Sequence, residues 1–400
     1  MIVSQSPVYI LGSSRIPFVK SQTEYAQFRR KDLMVAALNG LIEKHHLEGV
    51  LIGDTALGAV LNSVADFNLA RETVLSTALH PASPGVTLQR ACGTSLEATW
   101  QIALKVFTGS IELGIAGGVD TNSDLPIEMV DQIPRVPSVD EPRTHLSMGQ
   151  HTERMVKEWQ ISRQAQDEFA LRSHQRAAQA YEQGFFSDLI TPFAGLNRDR
   201  ILRADTSLEK LSRLPAAFEA QGSLTAGNST ALTDGAACVL MGGLKGAEML
   251  GSQPLAKCVD FAVSAVDFVK GEGLLMAPTL AVAQLLQKHR LGFDDFDYIE
   301  IHEAFAGQVL ANLKAWEDPH YCREVLHLQA PFGQTLGAIN PARLNVNGSS
   351  LALGHPFAAT GARIVGSLAK LLSQSRSQRG LISICTAGGM GMAAILESGE

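Results

Sequence analysis

Three absences narrow what this 400-residue sequence can be. It has five cysteines, an odd number with no paired short spacing, which fits a reducing compartment better than a disulfide framework. It has neither a CxxC nor an HExxH motif, so we expect no metal site. It also lacks an excess of positive charge. The net charge of −7 argues against a nucleic-acid-binding surface.

Long apolar segments are missing too. No hydrophobic run approaches the ~20 residues that a membrane span requires. The first eleven residues lack a charged region followed by an apolar core, so we expect a first strand rather than a secretory signal, and a cytoplasmic protein. Hydrophobic residues make up 46% of the chain and charged residues 18%, which is typical of a folded protein with two or three core-bearing units.

Cys92 is the first candidate catalytic residue. It follows the apolar stretch Val86–Leu88 and precedes a segment, Leu96–Phe107, whose apolar residues recur at helical spacing. A cysteine between a strand and a helix lies among unpaired backbone N–H groups, at the positive end of the helix dipole. Both effects favour the thiolate, which is the nucleophilic form. The alternative is a small apolar cysteine in a core helix.

His355 is the second candidate. It lies between Gly354 and Pro356, ahead of a segment with helical apolar spacing from Ile364 to Leu372. Proline suits a helix entry, where its missing N–H costs nothing. The turn would hold the imidazole rigidly, as a general base requires. A loop histidine satisfied by local hydrogen bonds is the alternative.

Cys385 is the third candidate. It ends the apolar stretch Leu381–Thr386, which is followed by Ala387-Gly388-Gly389 and a second apolar stretch, Met392–Leu396. The pattern predicts two buried strands around a glycine-rich turn whose N–H donors point outward. A tight hairpin with an incidental core cysteine is the alternative.

In this order, the three segments resemble the signatures of the thiolase family, and the resemblance runs nearly end to end. A fourth match is His302-Glu303-Ala304-Phe305, between a predicted strand, Tyr298–Ile301, and a predicted helix, Ala304–Trp316. Many thiolases have asparagine at the position of His302. Histidine there is typical of the branch that resembles the β subunits of fatty-acid β-oxidation complexes. Ala387 and Ser349 stand where many members have glycine.

The chain also repeats a strand–helix–strand order. A helix and the strand Ile111–Ala116, ending in Gly117-Gly118, follow Cys92, and a helix and the strand Leu381–Thr386 follow His355. This indicates duplicated α/β halves. The resemblance implies two βαβαβαββ halves in a five-layered αβαβα arrangement with an inserted loop domain. The implied bounds are 1–124 and 217–265 for the N-terminal half, 125–216 for the loop domain, and 266–400 for the C-terminal half.

The interruption has its own pattern. Pro126–Pro142 is loop-like, Met148–Tyr181 predicts one or two long polar helices, and strand-like residues return at Leu224–Asn228 and Ala236–Met241. By resemblance, Met148 and Thr230 contribute to substrate and coenzyme A binding. A basic cluster in Asn197–Pro215 either meets the nucleotide phosphates or is a solvated face; it comprises Arg198, Arg200, Arg203, Lys210 and Arg213.

The resemblance implies transfer of an acyl group to coenzyme A, by thiolytic cleavage of a 3-ketoacyl-CoA or the reverse condensation. Cys92, deprotonated by His355, would form the acyl-enzyme. Backbone N–H groups of Cys92 and Ala387 would form one oxyanion hole. His302 and His355 would stabilise the enolate, which Cys385 would protonate. Coenzyme A enters as co-substrate, and no bound cofactor or metal is implied.

Two other functions remain open at this point. A decarboxylating β-ketoacyl synthase would use one cysteine and two histidines, but would not need Cys385 as an acid. A non-catalytic, acyl-CoA-binding protein with the same fold would tolerate the loss of reactive residues, and here all four are present. The resemblance further implies a homodimer or homotetramer, and a partner subunit with hydratase and dehydrogenase activities.

Overall fold

The computed structural model describes residues 6–123, 141–375 and 378–399. Within these ranges the chain forms ten strands and twelve α-helices. The strands are β1 (Val8–Arg15), β2 (Val19–Lys20), β3 (Asp54–Gly58), β4 (Gly85–Leu88), β5 (Leu113–Asp120), β6 (Thr233–Gly242), β7 (Ala256–Ala265), β8 (Tyr298–Ile301), β9 (Arg379–Thr386) and β10 (Met390–Ser398). The helices are α1 (Arg30–His45), α2 (Leu69–Leu75), α3 (Thr94–Phe107), α4 (Met148–Glu158), α5 (Arg163–Glu182), α6 (Leu208–Ser212), α7 (Leu244–Leu250), α8 (Ala277–His289), α9 (Ala306–Glu317), α10 (Pro319–Glu324), α11 (Ser350–Leu353) and α12 (Thr360–Gln374).

The strands are hydrogen-bonded in the order β4-β3-β5-β6-β1-β7-β10-β9-β8, and β2 pairs with β6. In the first half β3, β4 and β5 run parallel, whereas β6 is antiparallel to β5 and β1. In the second half β8 and β9 run parallel, and β10 is antiparallel to β9 and β7. Three residue pairs between β1 and β7 connect these two groups of strands.

Both faces of each half-sheet are covered by helices. In β6, Ala237 and Val239 belong to an interior cluster with α3 and α12, while the alternate residues face α1 and α2. In β10, Met392 and Ala394 join that interior cluster, while Ala393 faces α8 and α9. Because side chains alternate along a strand, a strand covered on both faces is apolar throughout. The layers are therefore helix, sheet, helix, sheet, helix, which confirms the expected five-layered architecture.

Most predicted elements are present, with small shifts. The strand Tyr298–Ile301 has the predicted bounds, and the following helix begins at Ala306, two residues later than expected. The predicted polar segment Met148–Tyr181 is two helices, α4 and α5. The first strand begins at Val8. Of the proline-rich stretch 126–142, residues 126–140 lie outside the described residues.

Two predictions about strands were wrong. Leu224–Asn228 is a turn, because the Asn228 side chain accepts the Thr225 N–H at 2.8 Å and the Thr225 hydroxyl accepts the Gly227 N–H at 3.2 Å. Such local side-chain bonds compete with strand pairing.

The other correction concerns the end of β5. Gly117 and Gly118 lie inside this strand rather than after it, and the strand runs on to Asp120. A β-carbon at Gly118 would overlap the backbone of Ala358. Glycine is therefore used here for close approach of two backbones and not to end the strand.

Candidate active site

Cys92 lies in a tight turn between β4 and α3. Ala91, just before it, has a left-handed φ of 44°, which is unusual for alanine. The Thr94 side chain holds this turn, since its hydroxyl accepts the Arg90 N–H at 2.9 Å and donates to the Ala91 carbonyl at 2.6 Å. Gly93 is the N-cap of α3. The sulfur is thereby presented at the N-terminal end of the helix, as the sequence predicts.

His355 follows α11 and faces Cys92 from the other half of the chain. Its Nε2 lies 3.2 Å from the Cys92 Sγ, and its Nδ1 lies 2.6 Å from the Thr360 Oγ1. The Thr360 hydroxyl also lies 3.2 Å from the Pro356 carbonyl, to which it donates its single proton. The imidazole Nδ1–H must then donate to Thr360. Nε2 is left with a lone pair directed at the thiol.

The turn that carries His355 rests on β5. The carboxylate of Asp120 accepts the N–H of Ala358 at 2.7 Å, together with those of Val60 and Leu61 at 3.0 and 2.9 Å. Burial raises the pKa of Asp120 to about 6, although these backbone donors oppose the rise. The carboxylate thus joins the loop after β3 to the loop of the general-base candidate.

Burial sets the protonation states of the facing pair. It raises the pKa of the Cys92 thiol to about 12, and the N–H groups of Ala387 and of Cys92 itself only partly oppose this effect. Burial, followed by the charge of Arg363, lowers the pKa of His355 to about 3. The resting pair is therefore a neutral thiol and a neutral imidazole. The expected stabilisation of the thiolate by the helix end is outweighed by desolvation.

His302 completes the centre of the site. Its ring lies 4.1 Å from that of His355, centroid to centroid, at 44°. Its Nδ1 is 2.7 Å from the Ser350 Oγ, and its buried Nε2 has no hydrogen-bond partner among the described residues. Burial, then repulsion between the two imidazoles if both were protonated and the charge of Arg363, lowers the pKa of His302 well below the usual value, so the ring is neutral.

Cys385 and Ala387 reach the site from the turn between β9 and β10. Gly388 and Gly389 give this turn left-handed φ values of 80° and 69°, which glycine adopts without strain. Cys385 is 1% exposed, and burial, then the charge of Cys92, raises its pKa well above the usual value. The Ala387 N–H faces the Cys92 sulfur and lowers the pKa of that thiol.

The two residues expected to bind substrate lie beside this centre. Met148 is the first residue of α4 and packs in an apolar cluster that also contains Phe305 and Cys385. Thr230 donates its N–H and its hydroxyl to the Ala304 carbonyl, at 3.0 and 3.1 Å. Both contact the segment that carries His302, but their roles in binding stay predictions.

Comparison with known proteins identifies the family. The family description "Thiolase, N-terminal domain" matches residues 8–243, and "Thiolase, C-terminal domain" matches residues 252–398. The chain belongs to the thiolase family.

Individual relatives agree over almost the whole length. The chain is 36% identical to a 3-ketoacyl-CoA thiolase of Yersinia enterocolitica, over 98% of this chain and 96% of the relative. Among solved structures it is similar to the acetyl-CoA acetyltransferase of Bacillus anthracis, with 30% identity, a TM-score of 0.85, and 99% and 100% of the two chains covered. It is also similar to human mitochondrial 3-ketoacyl-CoA thiolase in complex with CoA, with 26% identity, a TM-score of 0.86 and 98% of each chain covered.

The basic cluster of this thiolase is divided by the structure. Arg200, Arg203 and Lys210 line a cavity of about 460 Å³. Arg198 lies over the Tyr181 ring, and Arg213 forms an ion pair with Glu209 four residues earlier in its own segment. Only part of the cluster therefore faces a space that a ligand could occupy.

Several residues of the site were not singled out from the sequence. Thr360, Ser350 and Arg363 all lie in the segment around Gly354-His355-Pro356, and Asp120 ends β5. Each acts through a hydrogen bond to a group far along the chain or inside a turn, which no local pattern encodes. The sequence feature that could have indicated these residues is the group of small polar residues in the otherwise apolar segment around His355.

The expectation of a metal-free site stays a prediction. One sulfur or nitrogen atom from each of Cys92, His302 and His355 lies within 4.8 Å of the other two. This spacing suits proton transfer between them and would also suit a soft metal ion.

Among the helices that the structure describes, none combines the length and apolar character that a membrane span requires.

Proposed function

We propose that this thiolase cleaves 3-ketoacyl-CoA with coenzyme A, giving acetyl-CoA and a shortened acyl-CoA. The observation that carries the proposal is the 3.2 Å contact between the Cys92 Sγ and the Nε2 of His355. A nucleophile in contact with an oriented base is what acyl transfer through a covalent intermediate requires. The names of the relatives support the same reaction.

The first step is attack by Cys92. His355 takes the thiol proton while the sulfur bonds to the 3-keto carbon. The resulting alkoxide accepts hydrogen bonds from the N–H groups of Cys92 and Ala387, both of which face the sulfur. Because Cys92 and His355 are both neutral at rest, the imidazolium and the alkoxide form only as the sulfur bonds to the 3-keto carbon. The two N–H donors are already in place to stabilise the alkoxide.

The second step breaks the bond between carbons 2 and 3. The alkoxide collapses to the Cys92 thioester, and the electron pair of the broken bond becomes the enolate of acetyl-CoA. We assign His302, together with the protonated His355, as donors to the enolate oxygen. Cys385 then gives its proton to carbon 2. Its raised pKa suits an acid that stays protonated until a strong carbon base forms next to it.

The third step transfers the acyl group. The thiol of a second coenzyme A gives its proton to the Cys385 thiolate and attacks the Cys92 thioester. Cys92 leaves as a thiolate and recovers its proton from His355. The shortened acyl-CoA departs, and both cysteines and both histidines are restored.

The cavity lined by Arg200 and Arg203 is proposed to hold the nucleotide end of coenzyme A. Its wall also includes Ser229, whose backbone forms an isolated β-bridge with Phe305, three residues after His302. The lining combines cationic side chains with apolar ones, which match the phosphates and the apolar parts of a coenzyme A ligand. Within this proposal, coenzyme A is a co-substrate.

Three finer statements are also proposals. The first is that the enzyme acts on longer 3-ketoacyl chains in fatty-acid β-oxidation rather than on acetoacetyl-CoA alone. The second is that the chain forms a homodimer or homotetramer. The third is that it binds a partner subunit with hydratase and dehydrogenase activities. The histidine at position 302 favours the first. The division into residues 1–124 with 217–265, 125–216 and 266–400 likewise remains a prediction.

The deciding experiment follows coenzyme A-dependent cleavage of acetoacetyl-CoA and of a long-chain 3-ketoacyl-CoA, with Cys92→Ala as control. Cleavage of the long substrate supports the β-oxidation proposal. Cleavage of acetoacetyl-CoA alone would restrict the enzyme to short-chain acetyl transfer. If neither is cleaved, the proposed reaction is wrong, and decarboxylation of a malonyl thioester is the next reaction to measure.

Cys385→Ser separates the second step from the first. A serine hydroxyl is a weaker acid than a thiol, so carbon–carbon cleavage should fall by at least 10², at the lower bound of general acid catalysis. Alkylation of Cys92 by iodoacetamide should stay near the wild-type rate. If cleavage persists at the wild-type rate, the assignment of Cys385 as the acid is wrong.

A further inference from the structure

Ser350 lies between His302 and a buried arginine. Its Oγ is 2.7 Å from the His302 Nδ1 and 2.8 Å from the Arg363 Nη2. Ser350 begins α11, and Arg363 lies in the first turn of α12. All three side chains are almost completely buried. The short helix α11 and the first turn of α12 thus converge on the ring that completes the active site.

The chemistry of the three groups fixes where the proton of His302 lies. Arg363 can only donate, so the Ser350 oxygen accepts from it. The single hydroxyl proton then has the His302 Nδ1 as its only partner among the described residues. Nδ1 is therefore an acceptor, and the neutral ring must carry its hydrogen on Nε2. That Nε2 is the buried atom that has no partner among the described residues.

The alternative tautomer is disfavoured by the same accounting. A hydrogen on Nδ1 would have to donate to the Ser350 oxygen, whose own proton would then lack an acceptor among the described side chains and carbonyls. The Nδ1–H form would therefore leave two buried groups without partners among the described residues, the Ser350 hydroxyl proton and the Nε2 lone pair, whereas the Nε2–H form leaves only the N–H. Each unsatisfied buried polar group destabilises the fold, so the Nε2–H form is favoured. The Nε2 of His302 would also become an acceptor, which could not stabilise a negative oxygen.

We propose that Ser350 and Arg363 are positioning residues that fix His302 as the Nε2–H tautomer, so that it donates a hydrogen bond to the oxygen of the substrate thioester. The inference deepens the proposed function and rests on it. Neither residue touches substrate. Arg363 also keeps the ring neutral through its charge, and it stays protonated near neutral pH because its pKa, lowered by burial, is still about 10.

Ser349 provides a matched control. It is as buried as Ser350 and accepts longer contacts from the same Arg363, at 3.3 and 3.4 Å. In the described structure its side chain makes no hydrogen bond to His302. Replacing either serine by alanine removes one oxygen from the same region, so packing loss is comparable, and only Ser350→Ala removes the donor to the imidazole.

The kinetic experiment measures kcat and KM for cleavage of a 3-ketoacyl-CoA by Ser350→Ala, Ser349→Ala, His302→Ala and the double variant Ser350→Ala/His302→Ala. Ser350→Ala should lower kcat by about 10- to 100-fold with little change in KM, since complete loss of an oxyanion donor costs about 10²–10³. Ser349→Ala should change kcat much less. In the His302→Ala background, Ser350→Ala should have almost no further effect.

The proposal would be overturned if Ser349→Ala lowered kcat as much as Ser350→Ala does. It would also be overturned if Ser350→Ala lowered kcat by the same factor with and without His302, because the effects of two independent structural changes add. Alkylation of Cys92 by iodoacetamide should be unchanged in Ser350→Ala, which shows that the Cys92–His355 pair is intact. A folding defect would instead expose the buried thiol and raise that rate.

A second readout does not depend on activity. Long-range NMR spectra of the full chain labelled with nitrogen-15 histidine distinguish the two neutral tautomers, and His302→Ala assigns the signal. We expect the Nε2–H form in the wild type and in Ser349→Ala, and a shift toward a mixture in Ser350→Ala. An Nδ1–H signal in the wild type would refute the positioning role even if thiolysis is confirmed. Absent thiolysis with an Nε2–H signal would refute the proposed function alone.

Discussion

The side chains of Cys92 and His355 illustrate how an enzyme can hold a reactive pair in an uncharged state. Burial raises the pKa of the thiol to about 12 and lowers the pKa of the imidazole to about 3. A thiolate–imidazolium ion pair would require the opposite order, with the pKa of the thiol below that of the imidazole. The Nδ1–H bond to Thr360 keeps the accepting nitrogen directed at the sulfur. The proton therefore moves when substrate arrives rather than before.

The pH dependence of Cys92 alkylation tests this arrangement. The thiolate reacts with iodoacetamide, and a raised pKa means that its fraction keeps increasing as the pH rises. We expect the alkylation rate to climb continuously from pH 6 to beyond 9, where an ordinary thiol with a pKa of about 8.5 begins to level off. A plateau reached below pH 7 would instead reveal a preformed thiolate–imidazolium pair.

Among the elements, β5 supports the turn that carries His355. Its Gly118 allows the backbone of Ala358 to approach the strand, and its last residue, Asp120, binds the Ala358 N–H. Ala358 lies three residues after His355, in the short 3₁₀ turn Phe357–Ala359 that leads into α12. β5, a strand of the first half, thus fixes the position of His355, which the second half carries.

Gly118→Ala should show that effect. The added methyl group must displace the backbone of Ala358, so we expect a loss of about 1–3 kcal/mol in the free energy of unfolding. A displacement of about 1 Å at His355 can cost about 10² in rate, so cleavage should fall strongly. Urea denaturation and steady-state kinetics measure both effects.

Gly333→Ala is the control for this substitution. A β-carbon at Gly333 meets nothing within 4 Å among the described residues, so stability and rate should stay near the wild-type values. Wild-type kinetics in Gly118→Ala would mean that the turn of His355 does not depend on β5.

Over the molecule as a whole, the interior helix layer joins the two halves. α3 belongs to the first half and α12 to the second, yet both lie in one apolar cluster with strands from both half-sheets. Leu368 of α12 is fully buried there and packs where Gly380 of β9 leaves room. Since no other described element covers the inner face of either half-sheet, we expect the halves to unfold together.

Leu368→Ala tests the shared core. Removing a buried leucine side chain typically costs about 2–5 kcal/mol. We expect a lower urea midpoint with far-UV circular dichroism and tryptophan fluorescence still following one transition. Leu244→Ala, which alters a leucine 54% exposed on α7, should change stability by no more than about 0.5 kcal/mol. Separate transitions for the two probes would contradict the shared core.

The elements near the site were largely predictable because their signals are local. The strand predicted at Tyr298–Ile301 has the bounds of β8, and helical spacing located α3 after Cys92. The prediction of a strand at Leu224–Asn228 was wrong because side-chain bonds of Thr225 and Asn228 formed a turn instead. That competition depends on bond geometry, which residue types alone do not specify.

The sequence by itself indicated the helices and strands next to Cys92, His302, His355 and Cys385, because helical spacing and the properties of glycine and proline act over a few residues. The family followed from the resemblance of the segments that carry these four residues. Only the tertiary structure decided that Cys92 meets a histidine 263 residues away. It also decided the neutral state of that pair and the Nε2–H form of His302. Desolvation and hydrogen-bond partners set those properties, and both come from groups that the chain brings together only when it folds.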